Sequence, residues 1–417
     1  MGMDLIESLK AIVGAAHVLT DETAMAGYLV DWSNRFPGKA LAVVRPSTTE
    51  EVAAVLRLAN ETATPVVPQS GNTSLVAGAT PDVTGRSIVL SMTRMNTIEQ
   101  IDVINDTITV QAGVILAKAQ EAAKEAGRFF PLSFGAQGSA CLGGCLGTNA
   151  GGTGVLRYGN TRDLVLGLEA VLPDGRIVNM LRGLRKDNTG YDLKQLFVGS
   201  EGTLGVITRA TLKLFPLPQT TYTALVGVAD VQAAWWCLVE LTFATDPGAN
   251  PLEGILEKAF EERIVVDALL SNSEQDSLDF WAVRESITSA DAHVGGNLHN
   301  DISDMADFVE EALNELKRRF DWIDPSIFGH LGDGNLHFNI GSIPSNLAFE
   351  HDDEIRDIIC RAVARHNGSI SAEHGIGQIK RKHFLALKNP TELAVMMAVK
   401  KALDPNGIMN PGKLLPD

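Results

Sequence analysis

Two hydrophobic periods alternate along this chain. Short apolar runs at Leu41–Val44, Pro65–Val67 and Ser87–Leu90 read as buried strands. Between the first two, Ser47-Thr48-Thr49-Glu50 has the form of a capping box, and the pattern behind it predicts a helix to about Ala63. Residues 1–30 carry a helical pattern, with Asp4, Glu7 and Lys10 along an amphipathic start. Thr107–Gln111 alternates with period two, as a half-buried strand does. An Ala-rich helix follows at Val114–Ala126. Leu164–Leu172 and Arg176–Met180 form a hairpin across Pro173-Asp174-Gly175. Tyr191–Phe197 reads as a short helix and Val206–Phe215 as a strand, and Pro216 and Pro218 then mark a boundary.

The pattern changes beyond that boundary. Thr221–Val228 is a strand, and residues 230–242 fit helix or strand equally. Leu278–Ala290, Met305–Phe320, Glu350–Asn367 and Thr391–Leu403 are helical. Leu298–Ile302, Ile327–His330 and Asn335–Ile340 are strands. The turn-rich tail from Asp404 to Lys413 is expected to dock on the first part.

Length and charge narrow the classes. A chain of 417 residues holds two domains or more. A net charge of −16 argues against nucleic acid or anionic lipid as the main partner. Cys141, Cys145, Cys237 and Cys360 are too few and too scattered for a disulfide scaffold. Cys141 and Cys145 lack a second pair for a metal cluster, and read as small buried residues. No apolar run reaches membrane-spanning length, and the start reads as a helix without signal-peptide or myristoylation features, so a cytoplasmic protein is expected.

The stretch Pro131–Gly205 is dense in Gly with small polar residues between, and Pro68-Gln69-Ser70-Gly71-Asn72-Thr73-Ser74 repeats that grammar. Rows of free N–H groups in such loops make concave anion sites. Two cradles fit a long ligand with a diphosphate in the middle. A turn-rich sheet domain is the plainer alternative.

His330-Leu331-Gly332-Asp333-Gly334-Asn335-Leu336-His337-Phe338-Asn339 carries the sharpest chemical signal. A two-residue turn on Asp333-Gly334 sets His330 opposite His337, with Cβ atoms roughly 4.5–5.5 Å apart, and Asn339 on the same face. Two imidazoles and an amide suit a divalent metal. Glu373, in Ser371-Ala372-Glu373-His374-Gly375, would complete a His₂Glu set with open positions, as in catalytic zinc sites, and manganese or iron would fit too. His374 would then stand beside the metal, where a general base belongs. Solvated histidines on a polar sheet face are the alternative. Arg284 and Thr288, four apart on a helix, would make a good carboxylate receiver, and a surface Arg paired with a Glu such as Glu285 is the commoner alternative. His299 shares a strand face with Asp301, while His17, His293, His351, His366 and His383 have no assigned role.

With these residues in view, the chain resembles the FAD-linked oxidases of the vanillyl-alcohol oxidase/p-cresol methylhydroxylase fold. The similar group includes D-2-hydroxyglutarate dehydrogenase, D-lactate dehydrogenase and the glycolate oxidase flavin subunit. The resemblance rests on PQSGNTSL, GAQGSACLGGCLGTNAGG, RYGN, KDNTGYDLKQLFVGSEGTLGVIT, HLGDGNLHFNI, SAEHGIG and LDPNGIMNPGK. It implies an α+β fold: a two-subdomain FAD-binding domain over residues 1–217, a shortened α+β substrate (cap) domain with the metal site over 218–388, and a segment at 389–417 returning to the FAD domain.

The resemblance implies that Pro68, Ser70, Gly71, Asn72, Thr73, Ser74, Gly135, Gly138, Ser139, Gly143 and Gly144 hold the FAD diphosphate. Asn149, Gly151, Gly152, Glu201, Gly205, Ile207 and Asn410 would lie along the cofactor. It implies His330, His337 and Glu373 as ligands of a divalent metal, zinc first, and His374 as base. Arg284, Thr288, His299 and Asn339 would hold the substrate. Residues 69–78 contain no His, so the FAD is expected to be non-covalent. The Rossmann fingerprint is missing, since Gly375-Ile376-Gly377 is not followed by a third glycine at the required spacing.

The implied activity is oxidation of a small D-2-hydroxy acid, D-2-hydroxyglutarate or D-lactate-like, with hydride passing to FAD N5. The electron acceptor would be an electron-transfer flavoprotein, a quinone or a cytochrome. Two departures bear on this. His299 falls where the dehydrogenase has a Lys, and the region from Asp230 to Leu241 is contracted. A truncated cap leaves room for a homodimer, or for a flavoprotein with impaired turnover. A glycolate or D-lactate dehydrogenase subunit is the other enzymatic reading.

Overall fold

Parallel pairing of the apolar runs builds the first sheet. Ala42–Val44, Ile88–Ser91 and Val66–Gln69 lie side by side in that order, with Val18–Leu19 antiparallel on the edge. The helix Thr49–Glu61 crosses between strands and sends Val52, Val55, Leu56 and Ala59 into a core with Val44, Ile88 and Leu90. Its cap sits one residue later than the motif reads: Thr48 Oγ1 accepts from Glu51 N at 3.1 Å, and the Glu51 carboxylate accepts from Ser47 N at 2.6 Å. Such a cap contributes about 1 kcal/mol. The computed structural model describes residues 2–228, 236–294, 301–303, 306–342 and 347–416, with the side chains of 2–4, 288–294 and 301–307 outside the description.

The opening is not one long helix. It runs Gly2–Val13 and stops at Gly14, whose φ of 86° with an extended ψ of 142° turns the chain out of the helix and suits glycine. Asp21 then caps the short helix Glu22–Met25 by accepting from Thr23 N and Ala24 N.

A second sheet of five antiparallel strands follows, in the order Ile98–Asp102, Thr107–Gln111, Val206–Lys213, Val165–Val171, Ile177–Met180. The hairpin at Asp174-Gly175 forms as the pattern predicts, with Val171 opposite Ile177 and Gly175 at φ 82°. The edge strand Ile98–Asp102 is unpredicted, because its exposed polar positions hide the alternation. Ile108, Val110, Leu168, Ala210 and Leu212 face the helix Leu116–Glu125 across the main core.

The long Gly stretch hides a helix, Leu142–Thr148. Its three glycines, Gly143, Gly144 and Gly147, lower helix propensity, which explains the missed prediction. Cys141 and Cys145 are buried, as expected, and burial pushes their thiols up to about 11 and about 12. Only thiolate reacts with alkylating agents. Iodoacetamide at pH 8 will therefore leave both unlabelled in the native protein and label both after denaturation, read by peptide mapping. Native labelling of either would contradict this packing.

Two further sheets follow. Trp236–Phe243, Thr220–Val228 and Val265–Leu270 form one, covered by the helix Pro251–Glu261 through Leu252 and Leu256. The described part of the ambiguous 230–242 region is thus strand, and residues 229–235 lie outside the description. Asp301–Ser303, Asn335–Ser342 and Ile323–His330 form the other, backed by the helices Ala306–Arg319 and Asp352–Arg365. The tail runs beside Val66, whose N donates to Ile408 O and whose O accepts from Asn410 N, both at 2.8 Å. Among the described residues, no helix is long and apolar enough to cross a membrane.

Candidate functional site

The two glycine loops meet backbone to backbone. A Cβ on Gly71 would lie 2.5 Å from Ser139 O and 2.9 Å from Cys141 N, so only glycine lets the first loop touch the second. Gly143 closes the same junction, since its Cβ would stand 2.7 Å from Ala112 Cβ and 2.9 Å from Ser70 Oγ. Together they wall one side of a cleft of about 3090 Å³. A single small-molecule pocket is roughly 300–1,000 Å³, so this cleft has room for a long cofactor and a substrate together. Pro68, Ser70, Gly71, Asn72, Thr73, Ser74, Gly135, Ser139, Gly143, Gly144, Gly151, Glu201, Gly205 and Ile207 line it.

Gly138, Asn149, Gly152 and Asn410 do not line the cleft. Three of them brace its wall. Asn149 ends the helix Leu142–Thr148 at φ 54°, and its Oδ1 accepts from Arg162 N at 2.8 Å. A Cβ on Gly152 would sit 2.1 Å from Ser133 O. Asn410 Nδ2 donates to Gly78 O at 3.0 Å and to Glu201 O at 2.7 Å.

The opposite wall comes from the histidine hairpin. Its register differs from the one read on a two-residue turn. His330 pairs with Asn335 and Phe328 with His337, across a four-residue loop. A type I′ turn needs positive φ at both central residues, but here Gly334 (φ 71°) is positive and Asp333 is not. Asp333 Oδ1 instead accepts from Asn335 N at 3.2 Å. The shift is two residues, so parity survives, and His330, His337 and Asn339 still share a face. Leu336, Phe338 and Ile340 fill the other face against the helices, which leaves the odd positions of this central strand polar and buried.

The loop bearing Glu373 reaches this face. Ligand atoms of His330, His337 and Glu373 all lie within 4.8 Å of one another. His330 Nδ1 is buried, lacks a hydrogen-bond partner among the described residues, and stands 3.6 Å from Glu373 Oε1. That separation is too long for a hydrogen bond and suits two ligands sharing one cation. The donor set therefore fits a divalent metal. Asn335 Nδ2 donates to Glu373 Oε1 at 2.7 Å and fixes the carboxylate. Sequence reasoning missed Asn335, although the period-two pattern that picks out His337 and Asn339 also contains it.

Electrostatics favour an anion here. Burial lowers the pKa of Arg284, against the raising effect of Glu373 and then Glu285. Its guanidinium lies 5.3 Å from the Phe328 ring centre, and Phe328 lies 5.0 Å from His337. Burial, and then the Arg284 charge, lower the pKa of His330, which keeps its imidazole neutral and able to bind a cation. Arg284, His330, His337, Glu373 and His374 line the cleft, while Asn339 is 3 % exposed and lies deeper in the sheet. The Thr288 side chain and all of His299 lie outside the described residues.

Comparison with known proteins matches this architecture. Residues 40–181 match the FAD binding domain, and residues 217–414 match the FAD linked oxidases, C-terminal domain. The chain is 36 % identical to the mitochondrial D-2-hydroxyglutarate dehydrogenase of Bos taurus, over 99 % of this chain and 84 % of that protein. It is 35 % identical to the D-2-hydroxyglutarate dehydrogenase of Stutzerimonas stutzeri (strain A1501), over 98 % of both. These alignments run over 464 and 460 residues, more than the 417 of this chain, so the relatives carry residues it lacks. Among solved structures, 4-ethylphenol oxidase from Gulosibacter chungangensis superposes with a TM-score of 0.76 at 17 % identity, covering 100 % of this chain and 97 % of that one. p-Cresol methylhydroxylase gives 0.76 at 15 % identity with the same coverage. The α+β fold is thus that of the vanillyl-alcohol oxidase/p-cresol methylhydroxylase group, and the chain belongs to the FAD-linked oxidase family.

Proposed function

We propose that this chain is a flavin-dependent dehydrogenase that oxidises a small D-2-hydroxy acid, of the D-2-hydroxyglutarate or D-lactate kind, to the 2-oxo acid. The observation that carries this reading is the convergence of His330, His337, Glu373, His374 and Arg284 on a cleft whose other wall is the glycine cradle. The names of the bovine and Stutzerimonas relatives support the substrate class.

FAD bound along the cradle supplies a hydride acceptor, and a divalent cation, zinc first, supplies a Lewis acid that lowers the pKa of a hydroxyl. Ser70 to Ser74 and Gly135 to Gly144 would hold the cofactor diphosphate without a covalent link, the first loop through its backbone N–H groups. His330, His337 and Glu373 hold the cation, and Asn335 keeps Glu373 aimed at it. Arg284 receives the substrate carboxylate and orients the Cα–H toward the cradle. His374 takes the hydroxyl proton on a ring nitrogen as the Cα hydrogen leaves with its electron pair, and the carbon becomes a carbonyl.

Residues 1–217 form the FAD-binding unit, 218–388 the cap, and 389–417 a return segment. Four cysteines without a disulfide among them fit an interior compartment such as the cytoplasm, and the bovine relative's name is mitochondrial. Electrons leave to an electron-transfer flavoprotein, a quinone or a cytochrome, and a homodimer would cover the shortened cap.

The test is the visible spectrum of the purified protein under anaerobic addition of D-2-hydroxyglutarate, D-lactate, D-malate and glycolate, with and without chelator. Flavin bands will bleach with one D-2-hydroxy acid and stay oxidised after chelation. Bands that no acid bleaches would favour impaired turnover, and bleaching by glycolate alone would favour the glycolate dehydrogenase reading.

A further inference from the structure

The loop that carries Glu373 and His374 is held by a carboxylate from the cradle wall. Glu201 Oε1 accepts from Ile376 N and Glu201 Oε2 from Gly377 N, both at 2.7 Å. Gly375 and Gly377 have φ of 82° and 54°, so the backbone N–H groups after His374 form a small concave anion seat. The fit is close, since a Cβ on Gly375 would lie 2.8 Å from Glu201 Oε1. The Glu201 backbone is itself pinned. Its N donates to Gly147 O at 2.8 Å, its O accepts from Asn410 Nδ2 at 2.7 Å, and its φ of 51° is unusual for a side-chain-bearing residue. Such a conformation persists where surrounding contacts fix it.

From these contacts we propose that Glu201 is a positioning residue, which sets Glu373 and His374 over the cleft by gripping the backbone just beyond them. The role rests on the reaction assigned above and goes beyond lying along the cofactor, the place that the family resemblance implies for Glu201. Its carboxylate joins the GSEGTLG segment to a loop some 175 residues further along the chain, so the flavin seat and the cation-and-base loop share one rigid strut. Ser371 Oγ, donating to Gly375 O at 2.7 Å, supports the loop from its own side, and Gln378 Nε2 anchors it on Ala77 O and Thr80 O at 2.9 Å each. Gln at position 201 keeps the shape but brings an NH₂ against one of the two N–H donors, so one bond is lost and two donors oppose each other.

The experiment compares wild type, Glu201→Gln and Glu201→Asp as purified flavoproteins. It reads flavin content, metal content, amide hydrogen exchange at residues 371–378, and the anaerobic rate of flavin reduction at saturating substrate. Glu201→Gln will keep its flavin, exchange the Ile376 and Gly377 amides about tenfold faster or more, and lower the limiting reduction rate by a similar factor, while Glu201→Asp recovers part of both. A merely structural role would lower stability and leave the flavin-loaded fraction reacting normally. Wild-type exchange at Ile376 and Gly377 in Glu201→Gln would overturn the proposal. So would loss of flavin with that exchange unchanged, which would make Glu201 a cofactor-holding residue. If Glu201→Gln does not fold, Glu201→Asp carries the same readouts, because it keeps the charge but draws the carboxylate away from the seat. Exchange is read without substrate, so a wrong substrate assignment leaves this outcome intact.

Discussion

Replacing His374 with Ala leaves flavin bound and slows flavin reduction by about 10²- to 10⁴-fold, the range expected when a positioned base is removed. The retained flavin follows from geometry, because the cradle is built from Ser70–Ser74 and Gly135–Gly144, none of which the substitution alters. The retained fold follows from the backbone, since Ser74 Oγ donates to His374 O at 3.4 Å and alanine keeps that carbonyl. The loop also keeps its Glu201 grip on the two following N–H groups. Stopped-flow reduction at saturating substrate is the deciding measurement, with His374→Gln as companion because it fills the space but takes no proton at neutral pH. Equal losses in both variants assign the effect to proton transfer. A wild-type rate in either would remove His374 from the role and leave the proton to another group.

Which parts of this molecule were legible beforehand follows from how local each signal is. The apolar strands, the helix start within one residue of Thr48 and the turn at Asp174-Gly175 are set by residues within a few positions of one another. Face membership in the histidine hairpin was legible because period two is strict, and a register shift of two leaves it intact. The register itself was not legible. Asp-Gly permits a two-residue turn or the tail of a longer loop, and the close pairing at Gly329 fixes the choice, because a Cβ there would lie 2.1 Å from Asn335 O. Glu373 was identified by residue type, but its approach to the hairpin depends on docking the 371–378 loop against Val76, Ala77 and Thr80, contacts about 300 positions apart. The grip of the Glu201 carboxylate on the 376–377 backbone was not legible for the same reason, since backbone N–H partners carry no side-chain signature. Within the glycine loops, spacing separated cleft-lining from bracing positions poorly, because a glycine required by Ser133 O reads the same as one required by a ligand.

Replacing His337 with Ala is expected to strip the protein of its cation. Three protein ligands are the usual complement of a catalytic zinc site, and removing one leaves His330 and Glu373 alone. Loss of an outer-shell partner already weakens metal affinity by about 10- to 100-fold, so loss of a direct ligand should exceed that. Metal per polypeptide after dialysis, read by elemental analysis, should fall from near one to a trace, and the same analysis of wild type identifies the ion. The fold must survive for the result to count. His337 is 7 % exposed and stacks on Phe328 at 5.0 Å, so alanine leaves a hole, whereas His337→Gln fills most of it. Leu336 and Phe338, which hold the strand to its helices, are unchanged in both variants. Metal loss in both variants with flavin content preserved separates ligand loss from unfolding, since the cradle lies on the other wall. Unchanged metal content in both would remove His337 from the ligand set, and its buried imidazole would then serve to pack Phe328 beneath Arg284.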